Sequence, residues 1–420
     1  MPTKTTYFPQ LADVKKAHEQ LKGVALETPL MINLNVSKEH QANVFLKRED
    51  LQAVRSYKIR GAYNKISNLK KDQLTQGVVC ASAGNHAQGV AFSCKHMKVK
   101  GVIYMPSPTP QQKIEQVKMF GEEFVEIKLT GDTFDDAQLA AKEYGKNHQM
   151  AFIPPFNDEK VIEGQATVAI EILNQATEPI DYLFVPVGGG GLAAGVSAVF
   201  KELSPQTQII GVEPEGAPSM TTAIKNGENT KLPTIDKFVD GAAVQQVGEL
   251  TYQICKETLD EMVLVPEGKI CDTILKLYNK DAIVVEPAGA LTLAALDQYH
   301  EQIKGKNVVC IVSGSNNDIV RMEEIKERAL LYTCLKHYFI VNFPQRAGAL
   351  KEFVNEVLGP DDDITFFEFS QKNNREKGPA VVGIHLKSKE DLQPLMLRMI
   401  DKGMLGEYLN GKPDLLRMMV

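Results

Sequence analysis

Four short stretches of the chain carry residue types that could do chemistry. The first is Ser56-Tyr57-Lys58-Ile59-Arg60-Gly61. A lysine is ordinarily a solvated surface group, but Lys58 lies between Tyr57 and Ile59 at the start of an apolar helical pattern. An amine with apolar neighbours gives up its proton more readily, which is what Schiff-base formation requires. The second is Gly188-Gly189-Gly190-Gly191-Leu192. Glycines let the backbone take positive φ and turn successive N–H groups the same way. At a helix N-terminus that makes an anion site suited to a phosphate. The third is Ser82-Ala83-Gly84-Asn85-His86. Ser82 alone would serve as a helix N-cap, but capping does not explain Asn85 and His86 beside an Ala-rich helix. The fourth, Ser313-Gly314-Ser315-Asn316-Asn317, places hydroxyls and amides in a turn.

The glycine run leaves three readings open. No Gly-Lys-Ser/Thr follows, so it is not a Walker loop. Gly189, Gly191 and Ala194 also fit the dinucleotide pattern G-x-G-x-x-A, with Glu213 ending the next strand as that reading requires. A plain strand-to-helix turn is the third. Taken together, the four stretches offer an anion cradle, an amine, a hydrogen-bonding cluster and a hydroxyl. A phosphorylated aldehyde cofactor held by a lysine uses all of them. A nicotinamide enzyme leaves Lys58 and the Ser82–His86 cluster without a role.

These residues must be held by strand–helix alternation. Short β-rich runs (NVFLKRE, GVVCAS, GVIYMP, EFVEIKL, YLFVPV, QIIGVEP, NVVCIVSG) are separated by helical patterns such as 110–120, 133–146 and 161–176. Near-continuous apolar strands of this kind predict a parallel sheet covered on both faces, and such sheets bind ligands at the carboxyl ends of their strands. All four polar turns are expected beside strands of one sheet. Residues 182–200 carry no charge over a membrane-spanning length, but Pro186 and five glycines interrupt them. A buried strand, a turn and a packed helix are expected instead. Near residue 333 the pattern becomes β-α-β-β-α with a possible last short strand, the order of a ferredoxin-like unit. The two regions are 1–332 and 333–420.

Composition narrows the class. A chain of 420 residues exceeds one hydrophobic core. Lys+Arg number 47 against 53 Asp+Glu, a formal charge of -6, which argues against a nucleic-acid binder. Residues 333–420 hold equal numbers of each sign, so the net charge belongs to the larger region. Hydrophobic residues at 43% exclude a disordered chain. The cysteines, Cys80, Cys94, Cys255, Cys271, Cys310 and Cys334, form no C-x-x-C pair and mostly sit in apolar runs. Buried free thiols in a reducing, cytoplasmic setting are expected. The first residues show no apolar core of a signal peptide.

The motifs resemble those of the fold-type II pyridoxal-phosphate enzymes, and more closely the biosynthetic threonine dehydratase (threonine deaminase) family. SYKIRGAYNKI, SAGNHAQGVA, TGDTFDDA, PPFNDEKVIEGQAT, GGGGLAAGVSA, EPAGA and SGSNND match it in order and spacing over about residues 20–325. The resemblance implies an α/β catalytic domain of two doubly wound lobes, the smaller at about 50–150. It implies dehydration and deamination of L-threonine to 2-oxobutanoate and ammonia, the first step of isoleucine biosynthesis, with L-serine a secondary substrate. It implies that Lys58 carries pyridoxal 5'-phosphate and removes the α-proton. Gly188, Gly189, Gly190, Gly191 and Leu192 would hold the phosphate. Asn85 would bond the ring hydroxyl, Asn157 would lie against the ring, and Ser313 would face the pyridine nitrogen. Ser82, Asn85 and His86 would hold the substrate carboxylate, with Ser82 also counted among the catalytic groups. A neutral serine opposite the ring nitrogen does not enforce a full pyridinium, so less charge drains into the ring and elimination is favoured. In the related serine racemases a second serine stands where this chain has Ala83, so dehydration without racemisation is expected. Tyr57 stands where the family often has Phe.

Residues 336–420 resemble the ACT-like regulatory domain of the same family, on HYFIVNFPQRAGALKEF with Gly348 opening the turn. This implies feedback inhibition by isoleucine, with valine opposing it, and a homotetramer. No metal, nucleic acid or membrane enters the reading. Two rivals remain: a nicotinamide oxidoreductase using the glycine run and Glu213, and a catalytically silent amino-acid sensor.

Overall fold

The computed structural model describes residues 7–369, 377–412 and 415. The turn expected between the last two long strands, and the first six residues, lie outside these. The described strands are, in chain order, β1 (Leu30–Ile32), β2 (Asn43–Arg48), β3 (Val78–Ala81), β4 (Gly101–Met105), β5 (Val125–Leu129), β6 (Ala151–Phe152), β7 (Tyr182–Pro186), β8 (Gln208–Pro214), β9 (Glu261–Val265), β10 (Asn307–Val312), β11 (Lys336–Pro344), β12 (Asp363–Phe369), β13 (Lys377–His385) and β14 (Leu405–Tyr408).

They form three sheets. The large one has the order β1-β2-β10-β7-β8-β9. It is parallel except at its edge, where the short β1 runs antiparallel to β2. The small one, β5-β4-β3-β6, is wholly parallel. Both faces of the small sheet are covered, and the pleat shows how. Val78 and Cys80 pack with Val90 and Ile103 on one side, while Val79 and Ala81 pack with Ala137 and Ala141 on the other. Alternate residues point to opposite faces, so a strand with two apolar covers must be apolar throughout. That is why VVCA reads as an unbroken run.

The single sheet expected from the sequence is therefore two. The turn at Ser82 follows β3 of the small sheet, whereas the glycine run follows β7 and Ser313 follows β10 of the large one. Strand identity is local, but which strands pair is decided by contacts far apart in sequence. The two lobes, each with its own core, meet where Asn85, in the helix after β3, bonds Glu286 of the large lobe.

The chain divides into two compact units, Met1–Ile319 and Val320–Val420. The helix Met322–Tyr332, placed ahead of the cut at 332/333 by the sequence, belongs with the second unit. Its Glu327 accepts a hydrogen bond from Tyr338 Oη at 2.7 Å and pairs with Lys336, both on β11. The second unit contains an antiparallel sheet in the order β12-β13-β11-β14, the ferredoxin-like arrangement. The possible last strand is real. Gly348 takes φ 84° to open the helix Ala349–Glu352. The helices after β11 cover one face of the sheet, with Phe339, Val341, Phe353, Val382, Leu395 and Met399 fully buried between them, while Leu331 of the helix Met322–Tyr332 packs with Tyr338 and Val381 on the other.

The uncharged stretch 182–200 is β7, a turn, and the buried helix Gly191–Leu203. No described helix is long and apolar enough to cross a membrane. Five of the six cysteines are buried; Cys334 is exposed in a turn at φ 56°.

Candidate active site

Lys58 opens the helix Lys58–Ser67. Two anchors hold its position. Tyr57 N donates to Ser313 O at 3.2 Å, and Ser56 bridges to Gly314. The strand-to-helix turn carrying Lys58 is thereby fixed to the turn after β10. The other anchor is Gly89 in the helix Asn85–Met97, where an added Cβ would lie 3.1 Å from the Lys58 carbonyl. Only a glycine lets the two helices approach so closely. The Lys58 ammonium donates to Pro155 O at 3.0 Å. Its enclosed surroundings pull its pKa down to about 8, against the opposing charge of Glu286. Desolvation disfavours the charged form, so a free amine is accessible near neutral pH.

Pro155 leads into Phe156, and Phe156 is the floor under the glycine run. A Cβ on Gly189 would sit 2.1 Å from the Phe156 ring, and one on Gly191 would sit 3.0 Å from Phe156 Cβ. A Cβ on Gly188 would sit 2.9 Å from Ala242 Cα, too close for any side chain. Gly190 takes φ 89°, which a side chain would strain, and Gly191 begins the helix Gly191–Leu203. The first amides of a helix have no intrahelical acceptor and carry the positive end of its dipole. Thr251 Oγ1 braces the turn by donating to Gly189 O at 2.7 Å. Leu192 is buried beneath the run. Of the cradle, the dinucleotide loop and the plain turn, Glu213 removes the dinucleotide loop. Its carboxylate is fully buried and accepts from Met220 N, Thr221 N and Thr221 Oγ1 at 2.7–2.9 Å. It caps the helix Ser219–Asn226 rather than offering itself to a ribose.

The Ser82–His86 turn lines the small-lobe side. Ser82 N donates to Tyr104 O, and its hydroxyl accepts from Gly84 N at 3.2 Å. Ala83 stands next to it with no hydroxyl to offer. The buried His86 bonds Ile153 O through Nε2 at 2.9 Å. A carbonyl can only accept, so Nε2 carries the proton and Nδ1 the lone pair. Burial and the nearby Lys58 charge drive its pKa down to about 3, so the ring is neutral. Asn85 Nδ2 donates to Glu286 Oε1 at 2.7 Å, and its Oδ1, also buried, has no hydrogen-bond partner.

Ser313 is 3% exposed; its carbonyl accepts from Tyr57 N, and the next residue, Gly314, accepts from Glu286 N at 3.2 Å. Asn157 is the outlier. It is exposed, and its Oδ1 accepts from Leu250 N at 2.9 Å, tying the turn after Phe156 to the helix Glu249–Thr258. The sequence reading missed Glu286, Phe156 and Ala242 as site residues. Glu286 left a signal: an acid immediately before Pro287 in an otherwise apolar segment, EPAGALTLAAL. Pro287 starts the helix Pro287–Ala294, with Glu286 as N-cap residue and no side-chain cap bond. Burial and the Asp240 charge push Glu286 up to about 7.

Three observations fit a phosphorylated aldehyde. A lysine of lowered pKa has one backbone partner, a glycine cradle would be filled by any Cβ, and a buried amide oxygen lacks a partner. Comparisons with known proteins agree. Residues 22–314 match the pyridoxal-phosphate dependent enzyme family, and residues 327–417 match the C-terminal regulatory domain of threonine dehydratase. The chain is 56% identical over 411 residues to the biosynthetic L-threonine dehydratase of Halalkalibacterium halodurans, covering 98% of this chain and 99% of that one. It is 54% identical to the Bacillus subtilis protein of the same name, covering 98% and 97%. Among solved structures, the processed threonine deaminase isoform 2 of Solanum lycopersicum superposes with a TM-score of 0.72 at 41% identity, over 78% of this chain and 96% of that one. A maize serine racemase gives 0.72 at 29%, over 78% and 99%. The chain belongs to the pyridoxal-phosphate dependent enzymes, within the biosynthetic L-threonine dehydratase family, and carries that family's C-terminal regulatory domain.

Proposed function

We propose that this chain converts L-threonine to 2-oxobutanoate and ammonia as the first step of isoleucine biosynthesis. The reading is supported by the contacts that link the sequence motifs, Lys58 to Pro155 beside the Phe156 that underlies the glycine run, Tyr57 to Ser313, and Asn85 to Glu286, in a chain aligned end to end with biosynthetic L-threonine dehydratases. When bound, pyridoxal phosphate supplies an electron sink for the carbanion at the substrate α-carbon.

The chain's own residues do the rest. The Lys58 amine holds the cofactor and then takes the α-proton, a role suited to its lowered pKa. The amides of Gly188, Gly189, Gly190, Gly191 and Leu192 bind the phosphate at the positive end of their helix. Asn85 meets the ring hydroxyl, and Ser313 faces the ring nitrogen as a neutral partner. Ser82, Asn85 and the neutral His86 hold the substrate carboxylate by hydrogen bonds. Asn157, whose amide is engaged by Leu250, would lie against the ring only through the turn it shares with Phe156. Threonine loses its β-hydroxyl as water, and hydrolysis then releases ammonia, so the water is returned and the products balance.

L-serine, which has the same leaving hydroxyl, is a secondary substrate in this reading. Isoleucine acts at the ferredoxin-like domain as inhibitor and valine opposes it, through a coupling free energy between separate sites. The working form is a cytoplasmic homotetramer, with the cut between catalytic and regulatory regions near residues 319–332. The test is a ketoacid assay with threonine, with and without isoleucine. Ketoacid release that isoleucine suppresses supports the whole reading. Release that isoleucine leaves unchanged removes the regulatory part alone.

A further inference from the structure

The Asn85 amide is bonded on one side only. Its Nδ2 donates to Glu286 Oε1 at 2.7 Å, while its buried Oδ1 has no partner. Glu286 is held from several directions. Its N–H donates to Gly314 O, and its Oε1 lies 2.4 Å from where a Gly314 Cβ would be and 3.5 Å from a Gly241 Cβ. Glycines at both positions let the carboxyl sit against backbone. Four titratable groups face it: Asp240 from the segment between the helices Ser219–Asn226 and Glu249–Thr258, Lys113 from the helix Gln111–Gly121, Lys58, and the Tyr57 hydroxyl, which burial and the Glu286 charge keep protonated.

An amide turned through half a revolution exchanges its donor for its acceptor, and which way it points is set by its hydrogen-bond partners. An ionised Glu286 can only accept. It draws Nδ2 toward itself and leaves Oδ1 without a partner, free to bond only an oxygen that keeps its proton. A protonated Glu286 can donate to Oδ1. The amide then has Nδ2 free in place of Oδ1, which suits an oxygen that has lost its proton. As pH rises, the proton that Glu286 gives up leaves to solvent, and the ring oxygen then faces an amide acceptor in place of a donor.

We propose that Glu286 is a positioning residue that decides, through the Asn85 amide, whether the ring oxygen of the cofactor meets a hydrogen-bond donor or an acceptor. The inference rests on the reading that Asn85 faces that ring oxygen. It gives a buried carboxyl with a pKa near neutrality a task in tuning the cofactor, beyond packing.

The test is the visible absorption of the holoenzyme as a function of pH, with cofactor affinity measured alongside. In wild-type protein the spectrum changes with a midpoint near the Glu286 pKa of about 7. Glu286→Gln offers a donor and an acceptor without a titrating proton, so the variant keeps its cofactor and loses the transition. Glu286→Asp keeps a titrating carboxyl at a different reach, so its transition remains with a displaced midpoint. A Glu286→Gln spectrum that titrates like wild type overturns the proposal, as does a wild-type spectrum that does not change with pH. If Glu286→Gln does not fold, an unchanged midpoint in Glu286→Asp overturns it equally. A wild-type protein that stays colourless with pyridoxal phosphate fails at the earlier step, the assignment of the cofactor.

Discussion

Arg60 and Glu171 meet in a bidentate pair in the protein interior, Nη1 to Oε1 at 2.5 Å and Nη2 to Oε2 at 2.8 Å, two residues along the chain from Lys58. Arg60 also bonds Glu49 through Nε and Nη2, and Lys47 Nζ reaches Glu171 at 2.6 Å. All four side chains are essentially inaccessible, and their charges cancel. The group joins β2 of the large lobe, the Lys58 helix and the helix Glu159–Gln175. Breaking a buried pair by removing one partner leaves a charge without compensation. Glu171→Ala is therefore expected to lower stability by roughly 3–5 kcal/mol, measured by urea unfolding. A loss below about 1 kcal/mol, the range of a surface pair, would show that the network matters little.

Lys58→Ala removes both the amine that holds the cofactor and the base. Dehydratase activity is expected to fall by at least the roughly 10²–10⁴-fold typical of a general base, and the visible absorption of the bound cofactor should vanish. In wild-type protein, the rate at which added pyridoxal phosphate loads is expected to rise with pH through about 8 and then level off, because only the free amine reacts. A loading rate that does not depend on pH would exclude Lys58 as the loading group.

Gly189→Ala drives a methyl into the Phe156 ring, 2.1 Å away. Cofactor affinity should drop, and fluorescence titration with pyridoxal phosphate checks it. The double change Gly189→Ala with Phe156→Ala opens the space and should recover part of the loss. Equal affinities of single and double variants would mean that Phe156 does not set the loop.

Glu213 has a pKa raised from the ordinary 4.5 to about 7 by burial, so the folded protein holds a proton that the unfolded chain releases. The stability contributed by this group is complete below about 4.5 and is lost as pH rises through about 7. Glu213→Gln does not titrate. Its thermal midpoint should decline less than that of wild type across that window, and parallel declines would refute the assignment.

Ala83 lies in the turn after β3, beside Ser82. Chiral analysis of threonine left over after partial turnover should show no racemised substrate from wild type. Ala83→Ser places a hydroxyl there and should produce some. Racemisation by wild type would remove the role given to Ala83.

The local features were legible in the sequence because they depend on short spacing. The glycine run, the lysine before an apolar helix and the Ser–Asn–His turn are each set by neighbours within a few residues. The β-α-β-β-α order of the last region is likewise a matter of period. Asn157 was less legible: its turn is near the site, but its amide is engaged with Leu250, which only the folded chain brings close.

The sequence by itself determined the longer apolar strands of the catalytic region but not β1, β6 or β9, together with the four polar turns and the family they resemble. Only the tertiary structure decided that β3 and β10 lie in different sheets, that Glu213 closes a helix end, and that Glu286 stands against Asn85 across 201 positions. The physical reason is range. Backbone preference and apolar period act over a few residues, whereas strand order, burial of a carboxyl and the pKa that follows depend on groups that meet only when the chain has folded.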